Sequence, residues 1–221
     1  MDGNRRWAQE KGLPSVMGHR AGIETLKQII QRGAELGVEY ITLYTFSSEN
    51  WLREKGWLDE FMGLLRMQLK SQLKDLMKNG VRIRTIGNLS LFDNDIQEMI
   101  RHMEEATQNN TKITAILALS YSGRDEIVRA CQAIAGKVKQ GLMSENDITA
   151  DIMSQHLDTK NIPNPDLLIR TGNEQRISNF LVWQAAYSEF VFSKELWPDF
   201  KPIHFDEAIN IYSKRTRRYG L

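Results

Sequence analysis

The sequence predicts an α/β protein in which a mostly parallel central β-sheet is flanked by helices on both faces. Short runs of β-branched and aromatic residues alternate with helical stretches along the chain, as expected when helices join parallel strands. The run at 40–46 is nearly continuous in apolar, aromatic and β-branched residues, which is typical of a strand buried on both faces. Because the 221 residues contain no linker or low-complexity tract, we expect a single domain over residues 1–221.

The N-terminal half begins with a charged, turn-like segment, MDGNRRW, and then a helix is predicted at 21–36. Apolar residues recur there at spacings of three and four, and Gly37 ends the helix. The β-branched and aromatic run at 40–46 predicts a buried strand. The wide leucine and methionine stripe at 57–78 predicts a long helix that stops at an Asn-Gly pair.

The rest of the chain repeats the alternation of strand and helix. Its strands are predicted from apolar and aromatic runs, and its helices from apolar residues on one face. The predicted strands lie at 81–86, 113–119, 166–170 and 189–192, and the predicted helices at 95–107, 124–138 and 205–218.

Composition excludes several classes of protein. With 29 basic and 28 acidic residues the formal charge is +1, which argues against a general nucleic-acid binder. The single cysteine, Cys131, rules out an intramolecular disulfide framework and fits a reducing compartment. There is no apolar run of about 18 residues and no signal-peptide pattern. We therefore expect a cytoplasmic protein.

Polar loops follow three of the predicted strands, where ligands of parallel α/β sheets collect. They read SSENWLR after residue 46, SYSGRDE after residue 119 and RTGNEQRISN after residue 169. Their hydroxyl, amide and guanidinium donors favour an anion site for phosphates, with Arg170, Arg176 and Ser178 as candidates. Taken singly, each loop is also consistent with ordinary turn and cap residues. The GHRAG string at 18–22 allows either an anion-binding helix N-terminus or a helix-capping turn.

Motif searches exclude other chemistries. The four histidines show no metal spacing such as HExxH, and a lone cysteine does not make a zinc site. There is no GxxxxGK[ST], GxGxxG or GxSxG motif, which argues against P-loop kinases, dinucleotide enzymes and common hydrolases. A DDxxD pair is also absent.

Taken together, five strings resemble the successive signatures of the cis-prenyltransferase family. They are MDGNRRWA at 1–8, GHRAG at 18–22, YTFSSENWLR at 44–53, SYSGRDEIVRA at 120–130 and the long block from DLLIRTG to WPDF at 166–200. The resemblance implies Mg²⁺-dependent addition of isopentenyl diphosphate to an allylic diphosphate, usually farnesyl diphosphate. The implied product is a long-chain polyprenyl diphosphate with cis double bonds, by family habit undecaprenyl diphosphate, a lipid-carrier precursor.

The resemblance also implies roles for individual residues. Asp2 is the expected catalytic carboxylate and metal ligand, with Glu189 as second metal carboxylate and Asn50 as a further catalytic residue. The allylic diphosphate is assigned to Gly3, Asn4, Arg5, Arg6 and His19, with Trp7 shaping the pocket. Isopentenyl diphosphate is assigned to Arg170, Arg176 and Ser178, and the condensation centre and its closing loop to Ser47, Ser48, Glu49, Trp51 and Arg53.

Oligomeric state and product handling follow from the same resemblance. The family forms dimers, so we expect a homodimer in which Arg218 reaches the neighbouring subunit's active site. The helices at 21–36 and 57–78 are interpreted either as plain core helices or as walls of an apolar product cavity, since methionine adapts to irregular ligands. An apolar product also implies transient contact with the membrane surface.

The sequence departs from the family pattern at several positions. The family has a strand before the MDGN turn, so either this sequence begins part-way into that region or the turn is held less firmly. Ser15 replaces an arginine that many members use for phosphate binding, and Asn173 and Gln175 replace a glycine and a histidine. Two alternatives therefore stay open: a non-catalytic accessory subunit that binds prenyl diphosphates, and a phosphate-ester hydrolase.

Overall fold

A computed structural model describes residues 1–215 of the chain. Its helices are α1 (Asn4–Glu10), α2 (Ser15–Glu35), α3 (Lys55–Ser71), α4 (Leu73–Lys78), α5 (Asn94–Thr107), α6 (Gly123–Lys139), α7 (Ala150–Ser154) and α8 (Pro202–Ser213). Its strands are β1 (Tyr40–Ser47), β2 (Val81–Ile86), β3 (Ile113–Tyr121), β4 (Leu167–Arg170) and β5 (Glu189–Phe192).

All five strands pair in parallel, which confirms the predicted type of sheet. They form a three-stranded sheet in the order β1-β3-β2 and a two-stranded sheet of β4 and β5. Strand β3 is buried on both faces, because Ile113 and Leu119 pack into one core cluster and Ile116 and Tyr121 into another. Burial on both faces was predicted for the run at 40–46 instead, but in β1, at the edge of the three-stranded sheet, only Leu43 and Phe46 are fully buried.

Several predicted elements and bounds differ from the structure. Residues 1–3 of the segment predicted as turn-like lie outside any helix, but residues 4–7 belong to α1 (Asn4–Glu10), so that part of the prediction is wrong. Helix α2 begins at Ser15, six residues before the predicted start. The predicted helix at 57–78 is divided into α3 and α4 at Gln72. Helix α8 ends at Ser213 instead of residue 218, and Arg218 lies outside the described residues.

The glycines of the GHRAG string have a packing role that brings α1 close to α2. A Cβ atom at Gly18 would lie 2.0 Å from the backbone oxygen of Asn4, and one at Gly22 would lie 2.3 Å from Asn4 Oδ1. The string lies inside α2 and not at its N-terminus, so both alternatives considered for it, an anion-binding helix N-terminus and a helix-capping turn, are wrong. The absence of a Cβ atom at these glycines instead lets α1 pack closely against α2.

We expect Gly18→Ala to lower the free energy of unfolding by about 2–3 kcal/mol, since the new methyl group must displace backbone. Urea unfolding followed by circular dichroism measures the change. Gly136→Ala is the matched control, because Gly136 lies in α6 with open space around its Cβ position. That variant should gain up to about 1 kcal/mol from helix propensity. Equal stability of Gly18→Ala and the wild type would contradict the packing role.

Candidate functional site

A large cavity opens at the carboxyl ends of β1 and β4 and extends between α2 and α3. Its volume is about 1910 Å³. Polar residues of the strand ends line one part, and aliphatic residues such as Leu26, Ile30, Leu65 and Leu69 line another. Helices α2 and α3 therefore wall a cavity as well as packing against the sheet.

Asp2 is held at the cavity wall by its backbone. Its amide donates to Thr171 Oγ1 at 2.9 Å, and its carbonyl accepts hydrogen bonds from Thr171 Oγ1 and from the Trp197 amide, each at 2.9 Å. Gly3 follows at φ 110°, a conformation that favours glycine, and leads directly into α1. Hydrogen bonds from Thr171 and from the Trp197 amide thus fix the MDGN turn.

Two arginines surround the carboxylate of Asp2. Arg170 Nη2 donates to Asp2 Oδ2 at 2.9 Å, and Arg6 Nη2 lies 3.5 Å from Asp2 Oδ1. Partial burial opposes ionisation, but the hydrogen bond and charge of Arg170, with help from Arg6, hold the pKa of Asp2 below its ordinary value. Asp2 is therefore a carboxylate at neutral pH.

Arg170 joins Asp2 to the segment that follows β4. Its Nη1 donates to Ser178 Oγ at 2.7 Å and to the carbonyl oxygen of Arg176. The Arg176 side chain pairs with Glu174, which also lies 3.7 Å from Arg6. Hydroxyl and guanidinium donors thus converge on one side of the cavity, an arrangement that suits diphosphate oxygens.

The loop after β1 forms a 3₁₀ turn, Ser48–Leu52, closed by a reciprocal cap. Asn50 Oδ1 accepts the Ser47 amide at 2.9 Å, so this oxygen has a structural task. Trp51 Nε1 donates to Ser120 Oγ at 2.9 Å, and Ser48 Oγ donates to the Ser120 carbonyl at 3.3 Å. Two hydrogen bonds to Ser120, near the end of β3, therefore hold the loop in place.

His19 lies on α2 against two aromatic rings. Its ring centroid is 5.9 Å from that of Trp57 and 6.3 Å from that of Phe61. Burial, reinforced by the charge of Arg53, lowers the pKa of His19. At neutral pH the imidazole is neutral, so it offers a single hydrogen-bond donor instead of a positive charge.

We expect stability to fall as pH drops below about 6.5, because the unfolded chain then binds a proton at His19 that the folded protein does not. The dependence runs from the ordinary histidine pKa down to the lowered one, with a slope of at most about 1.4 kcal/mol per pH unit. Urea unfolding at a series of pH values measures it. His19→Gln should flatten the dependence, and His102→Gln on α5, where the side chain is exposed, should not. Parallel curves for wild type and His19→Gln would contradict this prediction.

Glu189 lies apart from Asp2 in this chain. It is the first residue of β5 and pairs with Leu167, three residues before Arg170, or about 10 Å along the strand. Its carboxylate binds Arg215 Nη1 at 2.6 Å. The described residues contain no cluster of three His, Cys, Asp or Glu side chains able to hold a metal. The structure thus does not bring together the two carboxylates predicted to share Mg²⁺.

Most of the other predicted site residues line the cavity. They are Asp2, Gly3, Asn4, Arg5, Arg6, His19, Ser47, Glu49, Asn50, Arg53, Arg170, Arg176 and Ser178. Trp7, Ser48, Trp51 and Glu189 are not part of its wall as described for residues 1–215. Arg218 lies outside the described residues.

Three residues of the site escaped the sequence analysis. Thr171 forms hydrogen bonds with the backbone of Asp2, and Asn179 donates a hydrogen bond to Glu49. Gly172 lies so close to Arg6 that a Cβ atom at this position would be 2.4 Å from Arg6 Nη2. All three lie within or beside the RTGNEQRISN string. Their neighbourhood was thus visible from sequence, but the partners named here, Asp2, Arg6 and Glu49, are 130 or more positions away.

Known proteins resemble this chain over its whole length. The prenyltransferase family model described as undecaprenyl diphosphate synthase matches residues 1–220. Isoprenyl transferases from Agrobacterium fabrum and Clostridium perfringens are 46% and 47% identical over 220 residues, which is 100% of this chain and 89% and 87% of those proteins.

Solved structures agree with the sequence matches. Lavandulyl diphosphate synthase from Lavandula x intermedia, in complex with dimethylallyl diphosphate, has a TM-score of 0.95 and 36% identity, covering 100% of this chain and 95% of that one. A probable undecaprenyl diphosphate synthase from Campylobacter jejuni has a TM-score of 0.81 and 34% identity, covering 91% and 93%. These matches confirm the predicted fold class and type of enzyme. The chain belongs to the prenyltransferase family of undecaprenyl diphosphate synthase.

Proposed function

We propose that this protein elongates an allylic diphosphate, such as farnesyl diphosphate, with isopentenyl diphosphate units to form a long cis-polyprenyl diphosphate, with undecaprenyl diphosphate as the expected product. One observation carries the proposal: a carboxylate and arginine cluster, Asp2 with Arg6 and Arg170, lies at a cavity whose other walls are aliphatic. The charged end suits diphosphates and the aliphatic part suits a growing hydrocarbon. The 45% level of identity to isoprenyl transferases supports the same activity.

The residues present fit Mg²⁺ held in part by substrate. Asp2 is a hard oxygen ligand at the cavity wall, with its side chain 38% exposed. One carboxylate together with phosphate oxygens and water is a common arrangement for Mg²⁺. When bound there, Mg²⁺ would neutralise charge on the departing diphosphate. Glu189 would need another route to this metal, because its partner within the chain is Arg215.

Different residues of the chain bind the two diphosphates. Arg170 and Ser178, with Arg176, present donors to one diphosphate, and Asn4, Arg5 and Arg6 present donors to the other. Stabilising negative charge on the leaving diphosphate favours cleavage of its bond to the allylic carbon. A carbon–carbon bond then joins that carbon to the isopentenyl unit, which loses a proton to an oxygen of the released diphosphate as the new double bond forms. The neutral His19 is suited to donate a hydrogen bond without adding charge.

Radiolabelled isopentenyl diphosphate tests the proposal directly. Purified protein is incubated with the label, farnesyl diphosphate and Mg²⁺, and the butanol-soluble product is sized by chromatography. We expect an apolar labelled product with Mg²⁺ and none after chelation. Label that stays in water at every Mg²⁺ concentration would overturn the proposal. Product that forms only with a second polypeptide would instead favour an accessory subunit.

We also propose a homodimer that works in the cytoplasm and touches the membrane surface to release product. No helix among the described residues is both long and apolar enough to cross a bilayer. An apolar product has little solubility in water, and this favours transfer at a membrane. Analytical ultracentrifugation with and without lipid vesicles tests the dimer and the membrane contact. A monomer would contradict the first, and no co-sedimentation with vesicles after turnover would contradict the second.

A further inference from the structure

Asn179 links three segments of the site. Its Nδ2 donates to Glu49 Oε1 at 3.1 Å and to Ser122 Oγ at 2.6 Å, while its Oδ1 accepts the Arg124 amide at 2.9 Å. Its carbonyl oxygen also accepts the Gly123 amide at 2.8 Å. One side chain thus connects the loop after β1, the start of α6 and the segment next to Ser178.

The backbone at this position explains why the residue is asparagine. Asn179 has φ 64° and follows Ser178 at φ 47°, a left-handed conformation that asparagine tolerates better than most residues. Aspartate would also tolerate it but lacks the amide donors, and glycine lacks the side chain. Only an amide of this length supplies two donors and one acceptor here.

The contact with Glu49 connects this bridge to the cavity. Glu49 belongs to the 3₁₀ turn Ser48–Leu52, lines the cavity and is exposed. Partial burial opposes its ionisation, yet hydrogen bonds led by that of Asn179 lower the pKa of Glu49. Other charged and titratable groups around the same part of the cavity are Tyr44, Arg53, Arg124, Arg170 and Arg176.

We propose that Asn179 is a positioning residue that ties the loop 48–52 to the segment carrying Ser178 and so sets the placement of Glu49 at the cavity. The inference rests on the proposed function for its effect on turnover. Its structural part concerns the loop alone and can be measured without substrate.

Asn179→Asp separates the contact with Glu49 from the rest of the bridge. The carboxylate can still accept the Arg124 amide, and the Ser122 hydroxyl, which accepts from Asn179 in the wild type, can rotate to donate to it. A negative charge at the start of α6 is favourable for the helix, so we expect the variant to fold. At neutral pH the new carboxylate faces Glu49 without a proton to donate. As the pH falls toward about 5, the two facing carboxyl groups can share one proton, because two negative charges at hydrogen-bonding distance disfavour full ionisation of the pair, and the bond is restored.

Hydrogen exchange of the amides at 48–52 is the primary measurement. We expect exchange in Asn179→Asp to be roughly fivefold faster than in the wild type at about pH 7.5, and equal to it at about pH 5. Asn161→Asp is the matched control, because Asn161 also has a left-handed φ of 62° and an exposed side chain. It should leave exchange at 48–52 unchanged. Wild-type exchange in Asn179→Asp at neutral pH, or a difference that persists in acid, would overturn the inference.

Turnover gives the second measurement. Relative to the wild type, Asn179→Asp should lose kcat/KM at neutral pH and regain it toward acid, which a merely structural defect would not do. A wild type that makes no product would contradict the proposed function and leave the exchange result to decide on Asn179. An active wild type whose relative pH profile is unchanged by Asn179→Asp would contradict the positioning role alone.

Discussion

Asp2→Asn should lower kcat/KM by about a thousandfold while leaving the fold intact. Asparagine keeps the shape of the side chain and can still accept from Arg170, but it removes the negative charge that the lowered pKa preserves at neutral pH. An amide is a poor ligand for Mg²⁺ in comparison with a carboxylate. Loss of one preorganised electrostatic group in an active site commonly costs about 10²–10³ in rate, and loss of the metal adds to this.

Steady-state assay with labelled isopentenyl diphosphate measures the effect, and circular dichroism checks the fold. Asp206→Asn is the matched control, since Asp206 forms a two-point ion pair with Arg32 at 2.7 and 3.0 Å on the side of α2 facing α8. Like Asp2→Asn it removes the charge of a carboxylate bound to an arginine, but it should keep kcat/KM within about twofold of the wild type, because exposed pairs are worth about 1 kcal/mol or less. If Asp2→Asn behaved like this control, Asp2 would have no part in the reaction.

The fold followed from the sequence where one element has one strong local pattern. Strands β2 and β5 match the predicted ranges. Strand β2 alternates apolar and polar residues between Gly80 and Gly87, and β5 lies between Ser188 and Ser193, so each has clear local limits. Helix α1 was missed because it has no side-chain cap and no acidic residue in its first turn. Its seven residues depend on packing against α2, where Gly18 permits close approach. The break at Gln72 has no local signal, since the leucine stripe continues through it.

The residues that form the site could be predicted from the sequence better than the contacts between them. Arg170 and Ser178 were identified together with Asp2, and the structure places all three in one hydrogen-bonded group. Glu189 shows the opposite case: its distance from Asp2 follows from the register of β4 and β5, which no residue type reveals. Asn50 was assigned to chemistry, whereas its side-chain oxygen caps its own loop. Such hydrogen bonds depend on geometry that spacing along the chain does not contain.

Arg170→Lys should raise KM for isopentenyl diphosphate by roughly 30-fold and also lower kcat. Arg170 reaches Asp2, Ser178 and the Arg176 carbonyl at once, with its side chain only 13% exposed. Lysine keeps the charge but has a single ammonium group, so it cannot hold both sides of the cluster in the fixed geometry of a guanidinium. Each lost charge-assisted hydrogen bond is worth about 1.5–3 kcal/mol, which corresponds to a factor of at least about 10.

The two kinetic constants distinguish binding from positioning in this variant. If Arg170 acted only as a diphosphate ligand, KM would rise and kcat would stay, because binding in the ground state and transition state would weaken equally. A fall in kcat as well is expected because Arg170 also orients the Asp2 carboxylate. Arg66→Lys is the matched control: Arg66 joins α3 to Asp93 and Asp95 near the start of α5 through comparable forked contacts and lies outside the cavity wall as described. Wild-type constants in Arg66→Lys together with an unchanged kcat in Arg170→Lys would mean that Asp2 is oriented by its backbone clamp alone.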